Sequence, residues 1–337
     1  MTLWPPLLAE AEEEAAPRTI AGSIFLYLEN DLFTGTDRHY TNGVKITLLS
    51  HDLEEFSACR FMPSPVGRLL DKIPHFNRVG FKKNVGLSLG QNMYTPENTQ
   101  TGEPIEGDRP YAGISYLSGS LQRKNYHQLD IVELTLAVVG PSSLAADVQK
   151  LIHRATFSQE PKGWDNQLSD EVGFALAWQR RWRVVSLTAA NGLGLDLLPH
   201  VGAAAGTLIV MGNTGGTLRL GYNLPLDFGP SLILPGSGVS PPTGLVGAPD
   251  QPHSGLSCNV FASADVLASA WSILLDGNTY RRSHLVKKEP LVGNLALGAS
   301  ISHRSLIVTY SLVLRTKEFK GQKKGQDYGS VTFGFSF

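Results

Sequence analysis

Apolar and polar residues alternate along much of the chain with a period of two. The C-terminus shows this most clearly, because Val331, Phe333, Phe335 and Phe337 alternate with Thr332, Gly334 and Ser336. Successive side chains of a β-strand point to opposite faces, so this run predicts a strand with one aromatic and one small or polar face. The same alternation recurs at 84–90, 133–138, 217–224 and 306–314.

The alternation and the turn residues between the runs predict about twelve strands. They lie at 20–32, 41–52, 79–93, 109–124, 127–140, 170–187, 195–209, 215–224, 255–272, 290–302, 305–317 and 327–337. Runs of this length are long for a soluble sandwich and suit tilted membrane strands, and an even number suits a single-chain barrel. The predicted fold is therefore all-β, a transmembrane antiparallel barrel with a short helix in a long loop.

The connections between the predicted strands are unequal. Residues 212–216 and 303–304 predict tight turns, whereas 53–78, 94–108, 141–169, 225–254 and 273–289 predict long loops. Short turns at one end and long loops at the other are typical of outer-membrane barrels.

One loop is expected to contain a helix at 142–156. Ser142 and Ser143 offer an N-cap, and Asp147 falls in the first turn. Leu144, Val148, Leu151 and Ile152 give one apolar face. Gln149 and His153 are four residues apart and share a neighbouring face.

Composition narrows the class of protein. The 337 residues carry a formal net charge of −1, which gives no sign of nucleic-acid binding. No run of 18 apolar residues occurs, which excludes helical membrane spans. Cys59 and Cys258 are too few and too far apart to indicate a disulfide framework, and unpaired thiols are expected. Residues 1–18 are interpreted as a leader, 19–337 as one barrel domain, and a monomer is expected.

Two groups of polar residues could carry chemistry. Asn30 and Asp31 end the first predicted strand and Thr41 opens the second, so hard oxygen ligands for calcium could meet there, although a solvated turn has the same composition. His153 could act as a general base because histidine exchanges protons near neutral pH, and Gln149 could fix its tautomer or bind substrate. A structural or exposed histidine is the alternative.

Three blocks of sequence together resemble the outer-membrane lipid A 3′-O-deacylase family. They are Leu28–Asp31 with Asp37–Gly43, Gly107–Gly113, and Gln149 and His153 followed by Lys162–Gln167. The resemblance covers residues 20 to 337. It implies a twelve-stranded barrel that removes the 3′-linked acyloxyacyl group of lipid A in a calcium-dependent reaction.

The resemblance also implies roles for individual residues. His153 matches the catalytic base, Gln149 its helical neighbour, and Asn30, Asp31 and Thr41 the site on the first two strands, with Asn30 and Asp31 near the calcium ion. The implied partners are lipid A or lipopolysaccharide, outer-membrane lipids and the barrel assembly machinery.

Two departures from the family pattern bear on the function. The acid expected six residues after the histidine is Gln159 here, so its neighbour Glu160 is the candidate for orienting His153. The loop expected to carry a basic pair for lipid A phosphates has no Lys or Arg at 97–106, so Lys82, Lys83 or Arg109 would have to bind them. A barrel hydrolase acting on glycerophospholipids and a catalytically inactive structural or pore barrel therefore remain as alternatives.

Overall fold

The chain forms one antiparallel sheet that closes on itself. The computed structural model describes residues 22–31, 39–155, 159–234, 236 and 255–337. The strands are β1 (Gly22–Asn30), β2 (His39–Ser50), β3 (Lys82–Thr95), β4 (Ala112–Lys124), β5 (Gln128–Val139), β6 (Glu171–Trp182), β7 (Val185–Thr188), β8 (Leu193–Gly206), β9 (Ile209–Tyr222), β10 (Leu256–Ser272), β11 (Leu291–His303), β12 (Leu306–Arg315) and β13 (Gln326–Ser336).

The sheet is a closed twelve-stranded barrel, as predicted. Each strand pairs with its neighbours in sequence, and β1 pairs with β13. Both β6 and β7 pair with β8, at 175–181 and 185–188 respectively, so they are two halves of one wall strand interrupted at Arg183 and Val184. Closure pairs each described strand on both sides except β7, which pairs with β8 alone.

The alternation in the sequence separates a lipid-facing surface from the lumen. On β3, Leu87 and Leu89 are 48% and 63% exposed, whereas Ser88 between them is 3% exposed. Phe333, Phe335 and Phe337 are likewise exposed on the outer face. In water such a surface would be unfavourable, but in a bilayer it is the surface that lipid covers.

Within the residues that the structure describes, three α-helices accompany the barrel: α1 (Ser64–Asp71), α2 (Ala145–Ala155) and the single turn α3 (Ile273–Asp276). No helix in the described ranges is long and apolar enough to cross a membrane. Cys59 and Cys258 are free thiols, as expected. The predicted leader at 1–18 lies outside the described residues.

Two predictions about the connections were wrong. Residues 212–216 lie inside β9, and the turn that precedes it is at 207–208. A Cβ on Gly215 would lie 2.1 Å from the Ala264 carbonyl oxygen, so this glycine allows close strand approach rather than a turn.

Nor are the long loops confined to one end of the barrel. The end of the barrel where Gly22 bonds to Phe337 is called the terminal end, and the opposite end is called the site end. The long connections 51–81 and 223–255 begin at the terminal end, whereas the short turn 207–208 lies at the site end.

The 223–255 connection enters the lumen as far as it is described. Leu226 and Phe228 pack against Leu129, Ile131 and Leu198 on the inner wall. The backbone N–H of Ile233 donates to Glu29 on β1 at 2.8 Å. Residues 226–233 therefore cross from β5 and β8 to β1 and obstruct the interior.

The 51–81 connection instead folds onto the outer wall at the terminal end. Lys83, on the outer face of β3, lies 3.6 Å from Asp71 at the end of α1. Arg123, on the outer face of β4, donates to the His75 carbonyl and to Asp130. These contacts bury charged side chains under the loop and pair each of them.

Candidate active site

Helix α2 lies against the outer face of the barrel at the site end. Its first residue, Ala145, packs with Met93 of β3 in one buried cluster with Tyr111 and Trp164. A Cβ on Gly113 of β4 would lie 2.3 Å from the Ala145 Cβ, so only glycine allows this approach. Gln91 and Ser115 of the wall donate to the Ser143 carbonyl at 2.7 Å each, which fixes the start of the helix.

The polar face of α2 is the one turned to the barrel. Ala145, Gln149 and His153 are buried at successive turns, whereas Leu144 and Leu151 are 59% and 68% exposed. Leu144 and Leu151 of the predicted apolar face therefore point away from the barrel, while Val148 packs against the cluster around Met93 and Trp164. Of the two predicted N-cap residues, Ser142 bonds Asp170, whereas the Ser143 hydroxyl accepts from the backbone N–H of Ala145, the first residue of the helix.

The ring of His153 is held by a backbone carbonyl. Its Nδ1 lies 2.6 Å from the Gln159 carbonyl oxygen. A carbonyl can only accept, so Nδ1 carries the proton and the neutral ring has its lone pair on Nε2. The histidine is thus in the tautomer that lets Nε2 take a proton.

Glu160 is not the group that orients His153. Its carboxylate accepts from Arg154 Nε at 2.7 Å, and both side chains are exposed. The hydrogen bond from Arg154 lowers the pKa of Glu160, so the carboxylate is ionised and engaged elsewhere. The sequence prediction for Glu160 is corrected here: residue 159 supplies the contact, but through its main chain.

Gln149 is fixed at one end only. Its Oε1 accepts from Trp164 Nε1 at 2.6 Å, and Trp164 stacks obliquely on Tyr111. The Gln149 Nε2 is buried and has no hydrogen-bond partner within the described ranges. A buried amide N–H of this kind is an uncompensated donor, which suits a substrate oxygen.

The residues at the site ends of β1 and β2 lie in register with the wall residues on which α2 packs. Asn30 pairs with Asn42, Asn42 with Met93, and Met93 with Gly113, so the four form one row across the wall. Residues paired directly across antiparallel strands share a face. Asn30 and Asn42 therefore lie on the outer face, in the row on which α2 begins.

Thr41 reaches that face because of a β-bulge. The register of β2 against β3 shifts between Tyr40 and Asn42, and Thr41 is the extra residue. Its hydroxyl lies 2.8 Å from that of Thr95, and Asp31 beside Asn30 is fully buried. The structure thus brings Asn30, Asp31, Thr41, Gln149 and His153 to one end of the barrel, with Asn30 on the outer face and Gln149 and His153 on the helix packed against it.

The comparisons with known proteins agree with this architecture. The structure of LpxR from Salmonella typhimurium matches with a TM-score of 0.72 at 18% sequence identity, over 94% of this chain and all of that one. The family model described as outer membrane protein LpxR matches residues 1–337. This chain belongs to the LpxR family. Its localisation is the bacterial outer membrane.

The β domain of the Bordetella autotransporter BrkA matches with a TM-score of 0.44 at 9% identity, over 95% of this chain and 99% of that one. No curated protein matches the sequence.

The basic residues predicted to bind lipid A phosphates lie away from helix α2. Lys82 and Lys83 lie at the terminal end of β3, about 40 Å along the strand from Thr95. Lys82 pairs with Glu54 and Lys83 with Asp71. Arg109 lies in the lumen, 3.1 Å from Glu318 and over the Tyr94 ring. These three predictions are wrong because strand position and facing separate the residues from α2.

Sequence reasoning missed one polar residue at this site. The Asn42 Oδ1 is buried and has no hydrogen-bond partner in the part of the chain that the structure describes. Its signal was present in the alternation, because Asn42 and Asn30 occupy positions where β1 and β2 otherwise carry lipid-facing residues such as Ile24 and Ile46. A polar side chain on that face indicates a site rather than a lipid contact.

Proposed function

We propose that this protein hydrolyses an acyl ester of lipid A, removing the 3′-linked chain. The observation that carries the proposal is the polar stripe of α2, Gln149 and His153, pressed onto the lipid-facing wall in a member of the LpxR family. Lipid A is an outer-leaflet lipid of this membrane, so a site on the outer wall would receive it laterally, without passage through the lumen.

His153 would act as the general base. With Nδ1 donating to the Gln159 carbonyl, Nε2 would accept a proton from water as that water attacks the ester carbonyl carbon. The acyl carbon–oxygen bond then breaks. The proton passes from Nε2 to the departing sugar oxygen, leaving a free fatty acid and an alcohol.

Gln149 would stabilise the negative charge that develops on the carbonyl oxygen. It lies one helical turn before His153, and its Nε2 donor is buried with no partner in the described residues. Because Trp164 holds the other end of the amide, the donor is fixed before the substrate arrives. Preorganised donors of this kind contribute strongly to ester hydrolysis.

Calcium would bind at the rim beside the helix. The donors there are oxygens only: the Asp31 carboxylate and the amide oxygens of Asn30 and Asn42, which is the ligand chemistry that calcium prefers. The described ranges contain no cluster of three or more His, Cys, Asp or Glu poised for a metal, so amide oxygens have to contribute. When bound, the ion would supply positive charge near the ester oxygen.

Chelation tests the calcium requirement. EGTA should abolish fatty-acid release from membranes that contain the protein, and added calcium should restore it. Asn42→Leu should weaken calcium binding in a titration followed by calorimetry. Activity that persists in EGTA would remove calcium from the mechanism.

Mass spectrometry of lipids separates the alternative functions. Cells that produce the protein should lose the 3′-linked acyl chain from lipid A, and cells that produce His153→Ala should retain it. A barrel phospholipase would instead yield lysophospholipids with lipid A unchanged. No change in either lipid class would leave only the inactive barrel.

A further inference from the structure

The lumen contains a cavity that the proposed deacylation does not use. It measures about 190 Å³ and lies on the inner side of the same wall that carries α2 outside. Asn92 faces this cavity, while the next residue, Met93, faces α2. The barrel wall therefore separates the cavity from His153 and Gln149.

One side of the cavity is apolar, which is unusual for a barrel lumen. This side is formed by Leu208, Ile209, Met211, Leu267, Ile273 and Leu274. Water gains few hydrogen bonds against such a surface, and an apolar cavity of ~150 Å³ takes up small hydrophobic molecules instead. The apolar side is therefore suited to a short hydrocarbon chain.

The opposite side offers hydrogen-bonding atoms that the protein leaves unused. Arg109 Nε, Asn92 Oδ1 and the Tyr116 hydroxyl are buried and have no partner within the residues described. Arg109 is 2% exposed and Asn92 is 8% exposed. Each such group costs free energy unless something bonds to it, and together they present one donor, one acceptor and one group that is both.

Every cation around the cavity already has a carboxylate neighbour, which favours an uncharged ligand. Three cations (Lys45, Arg109, Arg315) and three anions (Glu133, Glu289, Glu318) line it. Arg109 and Arg315 both lie near Glu318, at 3.1 and 3.3 Å, and Lys45 lies 3.9 Å from Glu133. Each lining cation thus already has a carboxylate neighbour, and an anionic head group would have to compete with Glu318 or Glu133 for it in a buried site.

We propose that the lumen cavity binds a neutral single-chain amphiphile with a hydroxyl head group. The hydroxyl would meet Arg109, Asn92 and Tyr116, and the chain would lie on the apolar side formed by β8, β9, β10 and α3. This binding is independent of the deacylase proposal, because none of the residues involved lies on the outer wall.

Titration calorimetry of the full-length protein in amphipol tests the proposal, with 1-octanol, octane and octanoate as probes and empty amphipol subtracted. We expect 1-octanol to bind with one site per barrel and more tightly than octane or octanoate. Tyr116→Phe should weaken 1-octanol binding by about five- to tenfold, the value of one buried hydrogen bond, and leave octane unchanged.

A matched pair of variants locates the site. Leu267→Trp fills the cavity and should abolish binding, whereas Ala268→Trp, one residue along β10 and facing lipid, should not alter it. His153→Ala should bind 1-octanol like the unmodified protein. Crystals soaked in 8-bromo-1-octanol should show bromine on the apolar side.

Three results would overturn the proposal. They are equal binding of 1-octanol and octanoate, binding that survives both Leu267→Trp and Tyr116→Phe, and soaked crystals whose cavity holds ordered water alone. If Leu267→Trp does not fold, the effect of Tyr116→Phe on 1-octanol binding, compared with its effect on octane binding, tests the proposal alone.

Discussion

A histidine that is held by a carbonyl oxygen differs from one that is held by a carboxylate. The Gln159 carbonyl fixes the tautomer of His153 as a carboxylate would, but it brings no full negative charge to stabilise the imidazolium. The side chain of residue 159 takes no part in that hydrogen bond. In this protein the positioning of the proposed base is therefore a property of the main chain at 159.

Substitutions should separate the contribution of the His153 ring to the reaction from those of the Gln159 and Glu160 side chains. We expect His153→Ala to lower the rate of fatty-acid release by about 10²–10⁴-fold, the usual contribution of a general base. Glu160→Gln and Gln159→Ala should each keep the rate within a few-fold, because neither side chain contacts the ring. The measurement is release of labelled fatty acid from purified lipid A. A collapse of activity in Glu160→Gln alone would show that Glu160 reaches the histidine during the reaction.

At the scale of secondary-structure elements, the position of α2 depends on small residues in the wall. Gly113 makes room for Ala145, and Gly163 makes room for Tyr111, whose ring carbon would lie 2.3 Å from a Cβ at 163. Trp164 packs on Tyr111 and holds Gln149. The glycines and aromatics of the recognised sequence blocks thus support the helix rather than touch substrate.

Gly113→Val should displace α2 and reduce activity while the barrel still folds. Gly119→Val is the matched control, because it lies on the same strand and a Cβ there would meet nothing within 4 Å. Heat-modifiable mobility on gels reports barrel folding, and fatty-acid release reports the site. Equal activity of the two variants would show that α2 tolerates displacement.

The loop at 51–81 should respond to acid. Burial alone would raise the pKa of Asp71, but hydrogen bonds from the backbone N–H groups of Ser57 and Phe56 and the charge of Lys83 outweigh it and lower that pKa. A carboxyl whose pKa is lower in the folded state stabilises that state above its unfolded pKa. The stabilisation is lost as the pH falls through the folded pKa, below about 4.

Hydrogen exchange of the backbone amides of Phe56 and Ser57 measures this effect. Their protection should fall below pH 4 beyond the intrinsic rate change, and Asp71→Asn should show low protection at every pH. Protection that is independent of both pH and Asp71 would assign the stability of the loop to its apolar packing.

The sequence predicted elements better than it predicted their contacts. The strands followed from alternation, which is a local property, and twelve of them close the barrel. The run at 212–216 was mistaken for a turn because glycine there serves close strand approach, which depends on the neighbouring strand. Lys82, Lys83 and Arg109 were assigned to the site because sequence distance does not show which end or face of a strand a residue occupies. The spacing of Gln149 and His153 did predict that they share a face of one short helix, because helix periodicity is also a local property.

At the scale of the whole molecule, the segment at 226–233 obstructs the lumen, and ion pairs hold that segment in place. Arg219 pairs with Asp196 and Asp227, and Arg183 donates to Asp196 at 2.7 Å. Asp227 belongs to the segment that crosses the interior, so the network ties that segment to β8 and β9. An interior held in this way does not favour a passive pore.

Planar bilayer recordings test the closure. The unmodified protein should show far lower conductance than an open barrel of the same strand number, and Asp227→Ala together with Arg183→Ala should increase it by releasing the segment. Variants on the outer wall, such as Ala268→Trp, should not. Large, stable conductance in the unmodified protein would contradict the closed lumen.

The two loops that fold onto the outer wall leave unequal heights of bare surface around the barrel. On β3 the uncovered outer face lies between Lys83 and Gln91, which the loops cover, and it has at most about 20 Å of height at the usual strand tilt. On β10 it runs from Leu256 to Ala270, about 35 Å. A bilayer of uniform thickness cannot match both, so we expect the barrel to tilt or the membrane to thin beside α2. That mismatch would bring the glucosamine backbone of an adjacent lipid down to the level of His153, so that the membrane itself takes part in presenting the ester.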